Sequence, residues 1–290
     1  MVGEIKHGII FANDIVDAQK SIALSQEVAP YVDAIKIGIT TALRPGVKVF
    51  EETKKLTGKP LLGDFKVADI GMKNKQNEWE GTNNKIVGEL VRAGADYVIC
   101  HTIVGTSSIQ ESVDTAHKYG GKVLTLPYMT HKGAEVFFDL HFAPEHAKKT
   151  LTPVGLGKVA DAVAELEYKK KINTAAWRLP YTSVSDAILL IGEEVGVDGY
   201  IGPANKPAVL RDYRHLSQSK LVCSPGIGRQ EEGGKSEEQQ LAELFDAVGE
   251  NCGAIIGSGI YKAPKPGEAA ANYNAMRNSA LERLKHMVEC

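Results

Sequence analysis

Between Leu61 and Ile70 the chain reads LLGDFKVADI, an apolar start followed in close succession by Asp64, Lys66 and Asp69. A lysine flanked by carboxylates stays protonated, because both neighbours favour its charged form. Such a lysine is a poor nucleophile or Schiff-base former and a good general acid, suited to protonating a carbanion as it forms. A carboxylate beside it can also repel a negative group on a substrate, so that losing this group relieves strain. The structural alternative is an ion-pair network closing one end of the fold. Desolvation cancels most of what a buried pair gains, so the cluster reads as chemical.

The elements that must hold these residues follow from apolar patterning. Short apolar runs are expected as strands at Gly8–Ala12, Ala34–Gly38, Pro60–Phe65, Tyr97–Cys100, Lys122–Leu126, Gly199–Ile201, Leu221–Cys223 and Ala254–Ile256. Amphipathic stretches between them are expected as helices at Val16–Glu27, Val47–Leu56, Asn83–Ala93, Ser107–Lys118, Ser183–Val195, Pro207–His215, Glu237–Val248 and Pro266–His286. This alternation implies a parallel sheet, and so many strand–helix units imply a TIM (β/α)8 barrel with its site at the strand C-terminal ends. A doubly wound open sheet would not need them all. Alternate residues of a barrel strand point inward. Asp64 and Lys66 then share one face of the third strand, Ala34, Lys36 and Gly38 one face of the second, and Ile10, Ala12 and Asp14 one face of the first. Three successive strands should deliver Asp14, Lys36, Asp64 and Lys66 to one mouth.

Composition sets the outer limits. The chain has 290 residues, 43% hydrophobic and 24% charged, with a net charge of −2. These values describe an ordinary globular protein and argue against nucleic acid as the main partner, while leaving room for a small anionic substrate. Cys100, Cys223, Cys252 and Cys290 form no CxxC pair and no Cys/His ligand spacing, so they read as reduced thiols of a cytoplasmic protein rather than as disulfides or a metal site. The N-terminal MVGEIKHGIIFAND reads as a strand rather than a signal peptide, and no run is long and apolar enough to span a membrane.

Two segments interrupt an otherwise single barrel domain spanning residues 1–290. Gly71–Gly81 is a polar insertion directly after the charged motif. Residues 139–181 form a longer one, with a helix expected at Gly157–Lys169, a lysine run at Lys169–Lys171 read as a solvated face, and an apolar patch around Trp177. Gly38 and Gly105 read as turn or packing glycines. Gly226 and Gly228, followed by Arg229 and Gln230, read as a phosphate loop, since loops after the seventh and eighth barrel strands commonly bind phosphate. His101 and His131 are read as polar core residues without a role.

Taken together, AIKIG, DFKVADI, AGADYVICHTIVG, SPGIGRQ and AIIGSGIY, in this order, resemble the archaeal type of the orotidine 5′-monophosphate decarboxylase family. The resemblance covers nearly all of the chain outside the two insertions. It implies a dimeric barrel without metal or organic cofactor that converts orotidine 5′-monophosphate to UMP in de novo pyrimidine synthesis. By similarity, Lys66 protonates the ring carbon and Asp64 sits against the departing carboxylate. Asp14 and Lys36 hold the ribose hydroxyls, and Lys36 also bonds Asp64. Asp69 and Ile70 enter the site of the second subunit, and Thr82 is the candidate for a ribose contact there. Thr130, in MTHKGA where the family often has MSHPGA, is expected to read the pyrimidine edge.

At the phosphate end the resemblance points to Pro225, Gln230, Gly257 and Ser258. The family has an arginine where this chain has Ser258, and Arg229 is expected to take over its phosphate contact. Magnesium-dependent sugar-phosphate decarboxylases and aldolases of the same ancestry share the Asp-x-Lys-x-x-Asp motif. They place a glutamate metal ligand where this chain has Lys36. A nucleotide-binding barrel without turnover is the non-enzymatic alternative, and the intact Asp64, Lys66 and Asp69 argue against it.

Overall fold

The computed structural model of the protein describes residues 4–129, 131–142, 158, 161, 182–217, 220–228 and 234–289. Strands β1 (Gly8–Asn13), β2 (Ala34–Gly38), β3 (Leu61–Val67), β4 (Tyr97–Cys100), β5 (Lys122–Thr125), β8 (Gly199–Ile201), β9 (Leu221–Pro225) and β10 (Cys252–Ile256) close into a barrel in the order β1-β10-β9-β8-β5-β4-β3-β2. All neighbours within it pair in parallel. The eight expected strand–helix units are all present. The end strands run longer than their apolar cores suggest, because β9 and β10 pair from Val222 with Cys252 up to Pro225 with Ile255.

Strand alternation divides the core into two layers. Ile10, Ala12, Ala34, Leu62, Tyr97, Ile99 and Leu124 fill the barrel, while Ile9, Phe11, Ile35, Ile37, Leu61 and Val98 pack outward against the helices. One device recurs at the strand N-terminal ends. Asp33, Asp96 and Asp198 stand just before β2, β4 and β8, and each accepts a backbone N–H from the preceding barrel strand, at Ile9, Leu61 and Val123 respectively. Each also meets a cationic partner or imidazole, from Arg277, Lys54 and His117. Acidic residues at this end therefore fasten neighbouring strands, leaving the opposite mouth for chemistry.

Helices α1 (Ala18–Val28), α3 (Lys48–Thr57), α4 (Thr82–Arg92), α5 (Thr106–Lys118), α7 (Val184–Val195), α8 (Pro207–Leu216), α9 (Glu237–Val248) and α11 (Pro266–Glu289) occupy the expected positions. Asp17 caps α1, and Ser183 and Ser236 form capping boxes with Asp186 and Gln239 at α7 and α9. Three short helices, α2 (Ile39–Ala42), α6 (Glu135–Phe138) and α10 (Ser258–Tyr261), were not expected, since one turn carries no apolar period. No helix among the described residues is long and apolar enough to cross a membrane.

The polar insertion Gly71–Gly81 is folded. Asn74 Oδ1 accepts the N–H groups of Gln76 and Glu78 at 3.0 and 2.9 Å, and Lys73 bridges to Trp79. Trp79 Nε1 then donates to Asp114 of α5 at 2.6 Å, docking the hairpin on the barrel. The longer insertion leaves and rejoins the barrel through an antiparallel pair, β6 (His141–Phe142) and β7 (Thr182–Ser183). Between them only Lys158 and Asp161, both helical, are described. The rest of the expected helix, the Lys169–Lys171 run and Trp177 lie outside the described residues, as does Cys290. Cys100, Cys223 and Cys252 are free and buried, as expected.

Candidate active site

Four charged side chains from three successive strands meet at the C-terminal mouth. Lys36 Nζ lies 3.2 Å from Asp14 Oδ1 and 2.9 Å from Asp64 Oδ2, and Lys66 Nζ lies 2.6 Å from Asp64 Oδ1. The order Asp14–Lys36–Asp64–Lys66 alternates in sign, so each inner charge has opposite charges on both sides. Register explains the alignment: Ala12 pairs with Lys36, and Gly38 with Asp64, so Lys36 stands one inward-facing layer below Asp64 and its long side chain reaches up between the Asp14 and Asp64 carboxylates.

Three expectations need correction. Simple alternation does not carry Lys66 to the mouth. The β3–β4 register shifts between Gly63 and Val67, and Lys66 has φ of +48°, in the left-handed region that β-strand lysines avoid. A bulge of this kind re-aims a side chain, and such backbone strain, about 1–3 kcal/mol, persists where surrounding structure enforces it. Secondly, the lysine flanked by two carboxylates within the chain is Lys36, not Lys66. The side chain of Lys66 is ion-paired to Asp64, while Asp69 is exposed to solvent. Thirdly, Gly38 is more than a packing glycine, because a Cβ there would lie 2.7 Å from Asp14 Oδ1. Its bare backbone is what allows the Asp14 carboxylate to approach.

The cluster's ionisation follows from its neighbours. Burial alone would lower the Lys36 ammonium, but Asp64 and Asp14 outweigh it and raise the group above its ordinary value. Burial alone would raise the Asp64 carboxyl, but Lys36 and Lys66 outweigh it and hold the group below its ordinary value. All of the inner charges therefore persist at neutral pH.

These charges line one part of a cavity of about 370 Å³. Ile99, Leu126, Met129, Ile201 and Ile255 supply an apolar wall, and Pro225 and Gly226 at the end of β9, with Gly257 and Ser258 just after β10, complete it. A mostly apolar cavity with a few converging polar groups is the usual form of a small-molecule site. Among the described residues, no group of three or more His, Cys, Asp or Glu side chains converges as a metal site would.

Of the other sequence candidates, Asp69, Ile70 and Thr82 do not line the cavity. They stand exposed beside it, Ile70 with 67% of its surface free. Thr130, Arg229 and Gln230 lie outside the described residues. His131, expected as a polar core residue, is instead exposed and lines the cavity. His101 is held below its ordinary value by burial and by Lys66, which keeps it neutral.

Sequence reasoning missed the residues that support the site. Asn83 is fully buried and grips the Asp69 backbone from both sides, accepting its N–H at 3.1 Å and donating to its carbonyl at 2.8 Å. It also donates to Ser108 Oγ, whose hydroxyl bonds the same Asp69 carbonyl. The asparagine in GTNNKI was visible, but only the fold reveals its partner. Tyr128, on the cavity wall, accepts from Lys206, whose ammonium lies 4.3 Å from the centre of its ring. That pairing joins loops far apart in sequence, so no local signal announces it.

Comparison with known proteins agrees in sequence and in fold. The orotidine 5′-phosphate decarboxylase / HUMPS family matches residues 8–273. The orotidine 5′-phosphate decarboxylase of Methanococcus maripaludis is 29% identical over 273 residues, covering 94% of this chain and 98% of that protein. The crystal structure of the Methanocaldococcus jannaschii orotidine 5′-monophosphate decarboxylase complexed with the inhibitor BMP superposes with a TM-score of 0.67 at 27% identity, covering 95% of this chain and all of the other. The Pyrococcus horikoshii enzyme gives a TM-score of 0.63 at 25% identity, covering 93% and 99%.

Proposed function

The chain belongs to the orotidine 5′-phosphate decarboxylase / HUMPS family, and from that premise we propose that it decarboxylates orotidine 5′-monophosphate to UMP in pyrimidine synthesis. The observation that carries this reading is the alternating Asp14–Lys36–Asp64–Lys66 array at the cavity. Lys66 is the proton donor. As the C6–carboxylate bond breaks, carbon dioxide leaves and the electron pair stays on C6. That pair takes a proton from Lys66 Nζ, and the amine is recharged from solvent. Asp64 serves twice: it holds the ammonium in place and opposes the substrate carboxylate, whose loss relieves the repulsion. Lys36 keeps Asp64 ionised and, with Asp14, meets the ribose hydroxyls.

The phosphate belongs at the turns after β9 and β10, around Pro225, Gly226, Gly257 and Ser258, where barrel enzymes commonly hold it. Arg229 supplies the phosphate's cation in place of the arginine that the family carries at the Ser258 position, and Gln230 is the bridging glutamine. Thr130 reads the pyrimidine edge. The active form is a homodimer in which Asp69, Ile70 and Thr82 complete the second subunit's site. Their exposure beside the mouth supports this, as does the buried Asn83 that stiffens the Asp69 backbone.

Following the ultraviolet absorbance of orotidine 5′-monophosphate tests the reading. The purified chain should consume it, and Lys66→Ala should lower turnover by about 10³ or more. Turnover surviving in the Lys66→Ala protein would sink the mechanism.

A further inference from the structure

Behind the two turns at the phosphate end lies a half-buried pair that no catalytic step uses. Tyr273 of α11 is 5% exposed, and its hydroxyl donates to Glu237 Oε1 at 2.6 Å. Glu237 opens α9, whose first turn is fixed by the Ser236–Gln239 capping box. A Cβ at Gly228 would lie 2.2 Å from Glu237 Oε1 and 3.2 Å from the Tyr273 hydroxyl. A Cβ at Gly259 would lie 2.2 Å from that same hydroxyl. One hydroxyl therefore presses against the turn after β9 and the single helical turn α10 after β10 together. The first turn is tied to α9 a second time, by the Gly228 N–H donating to Gln240 Oε1 at 3.2 Å.

We propose that the Tyr273–Glu237 pair is a positioning strut that sets the spacing of the two turns, so that it governs affinity for the phosphate group and not the chemistry. The proposal rests on the reading that these turns hold the phosphate. Glycine turns have the widest conformational freedom of any backbone, and ordering them on binding weakens affinity. A rigid polar pair wedged between them removes that cost in advance. The same hydrogen bond also restrains the Glu237 carboxylate, which would repel a phosphate if it swung toward it.

The experiment compares Tyr273→Phe, which removes the hydroxyl and keeps the ring, with Glu237→Gln, which keeps an acceptor for it. Binding of UMP and of uridine is measured for each protein, with KM and kcat for orotidine 5′-monophosphate and thermal unfolding. Tyr273→Phe should weaken UMP binding and raise KM about tenfold, the equivalent of one lost hydrogen bond's worth of order, with kcat and uridine binding within about twofold. Glu237→Gln should move them far less. Equal loss of UMP and uridine binding, or none in either, would overturn the strut. If the wild-type protein binds UMP no better than uridine, the phosphate reading itself fails instead. Should Tyr273→Phe not fold, Gly259→Ala drives a methyl into the same hydroxyl, and the same split between UMP and uridine is expected.

Discussion

Lys36 and Lys66 hold opposite oxygens of one carboxylate, Lys36 at 2.9 Å from Asp64 Oδ2 and Lys66 at 2.6 Å from Asp64 Oδ1. The two lysines are not equivalent. Lys36 is almost wholly enclosed and has a second carboxylate, Asp14, whereas the Lys66 side chain is 40% exposed and open to the cavity. One lysine thus sets the charge of Asp64, and the other faces the cavity, where the proposed proton donor has to stand.

Lys36→Ala should therefore cost stability as well as activity. It leaves Asp64 mostly buried with one partner removed, a change that costs about 3 kcal/mol in comparable cases. Denaturant unfolding measures the first effect and the decarboxylation assay the second. A variant as stable as the parent would show that Asp64 does not depend on Lys36.

The pH dependence of stability has two limbs. Asp64 is depressed below its ordinary 3.8, so its contribution is complete above that pH and fades as pH falls through the lower folded value. Lys36 is raised above its ordinary 10.5, so its contribution is complete below that pH and fades as pH rises through the higher folded value. Between roughly pH 4 and pH 10 the cluster should give a plateau. Comparing the parent with Asp64→Asn across this range isolates it; a difference between the two that titrates near neutrality would contradict the assignment.

Mixing subunits tests whether sites are shared. Lys66→Ala and Asp69→Ala proteins, each inactive alone, should regain about a quarter of parental activity when unfolded and refolded together, because half of the random dimers carry one intact site. No recovery from a verified mixed dimer would place Asp69 in its own subunit's site.

Chelation separates the decarboxylase reading from the magnesium-dependent one. Overnight treatment with EDTA should leave turnover within about twofold, since the proposed proton donor is an ammonium rather than a metal-bound group. Activity abolished by EDTA and restored by magnesium would favour the sugar-phosphate enzymes.

The phosphate cation can be tested directly. Arg229→Ala should raise KM for the nucleotide by about tenfold or more, the effect of losing a charge-assisted bond, and leave uridine binding unchanged. An unchanged KM would show that another group carries the phosphate.

What the sequence determined by itself was periodic or local. Alternation in AIKIG and the short Val/Ile-rich runs fixed the inward and outward faces, because a strand's side-chain period is set by backbone sterics. The same runs, repeated with helices between them, specified the barrel, and the LLGDFKVADI motif supplied two of the charges that meet at its mouth. What only the tertiary structure decided depends on contacts between distant segments. The bulge that turns Lys66 into the mouth arises from pairing with β4, and Gly38 matters because Asp14 folds against it. Asn83 reaches back to Asp69, and Tyr273 reaches from the last helix to two turns. None of these leaves a periodic trace, since each is a single close approach whose partner is known only once the chain has closed on itself.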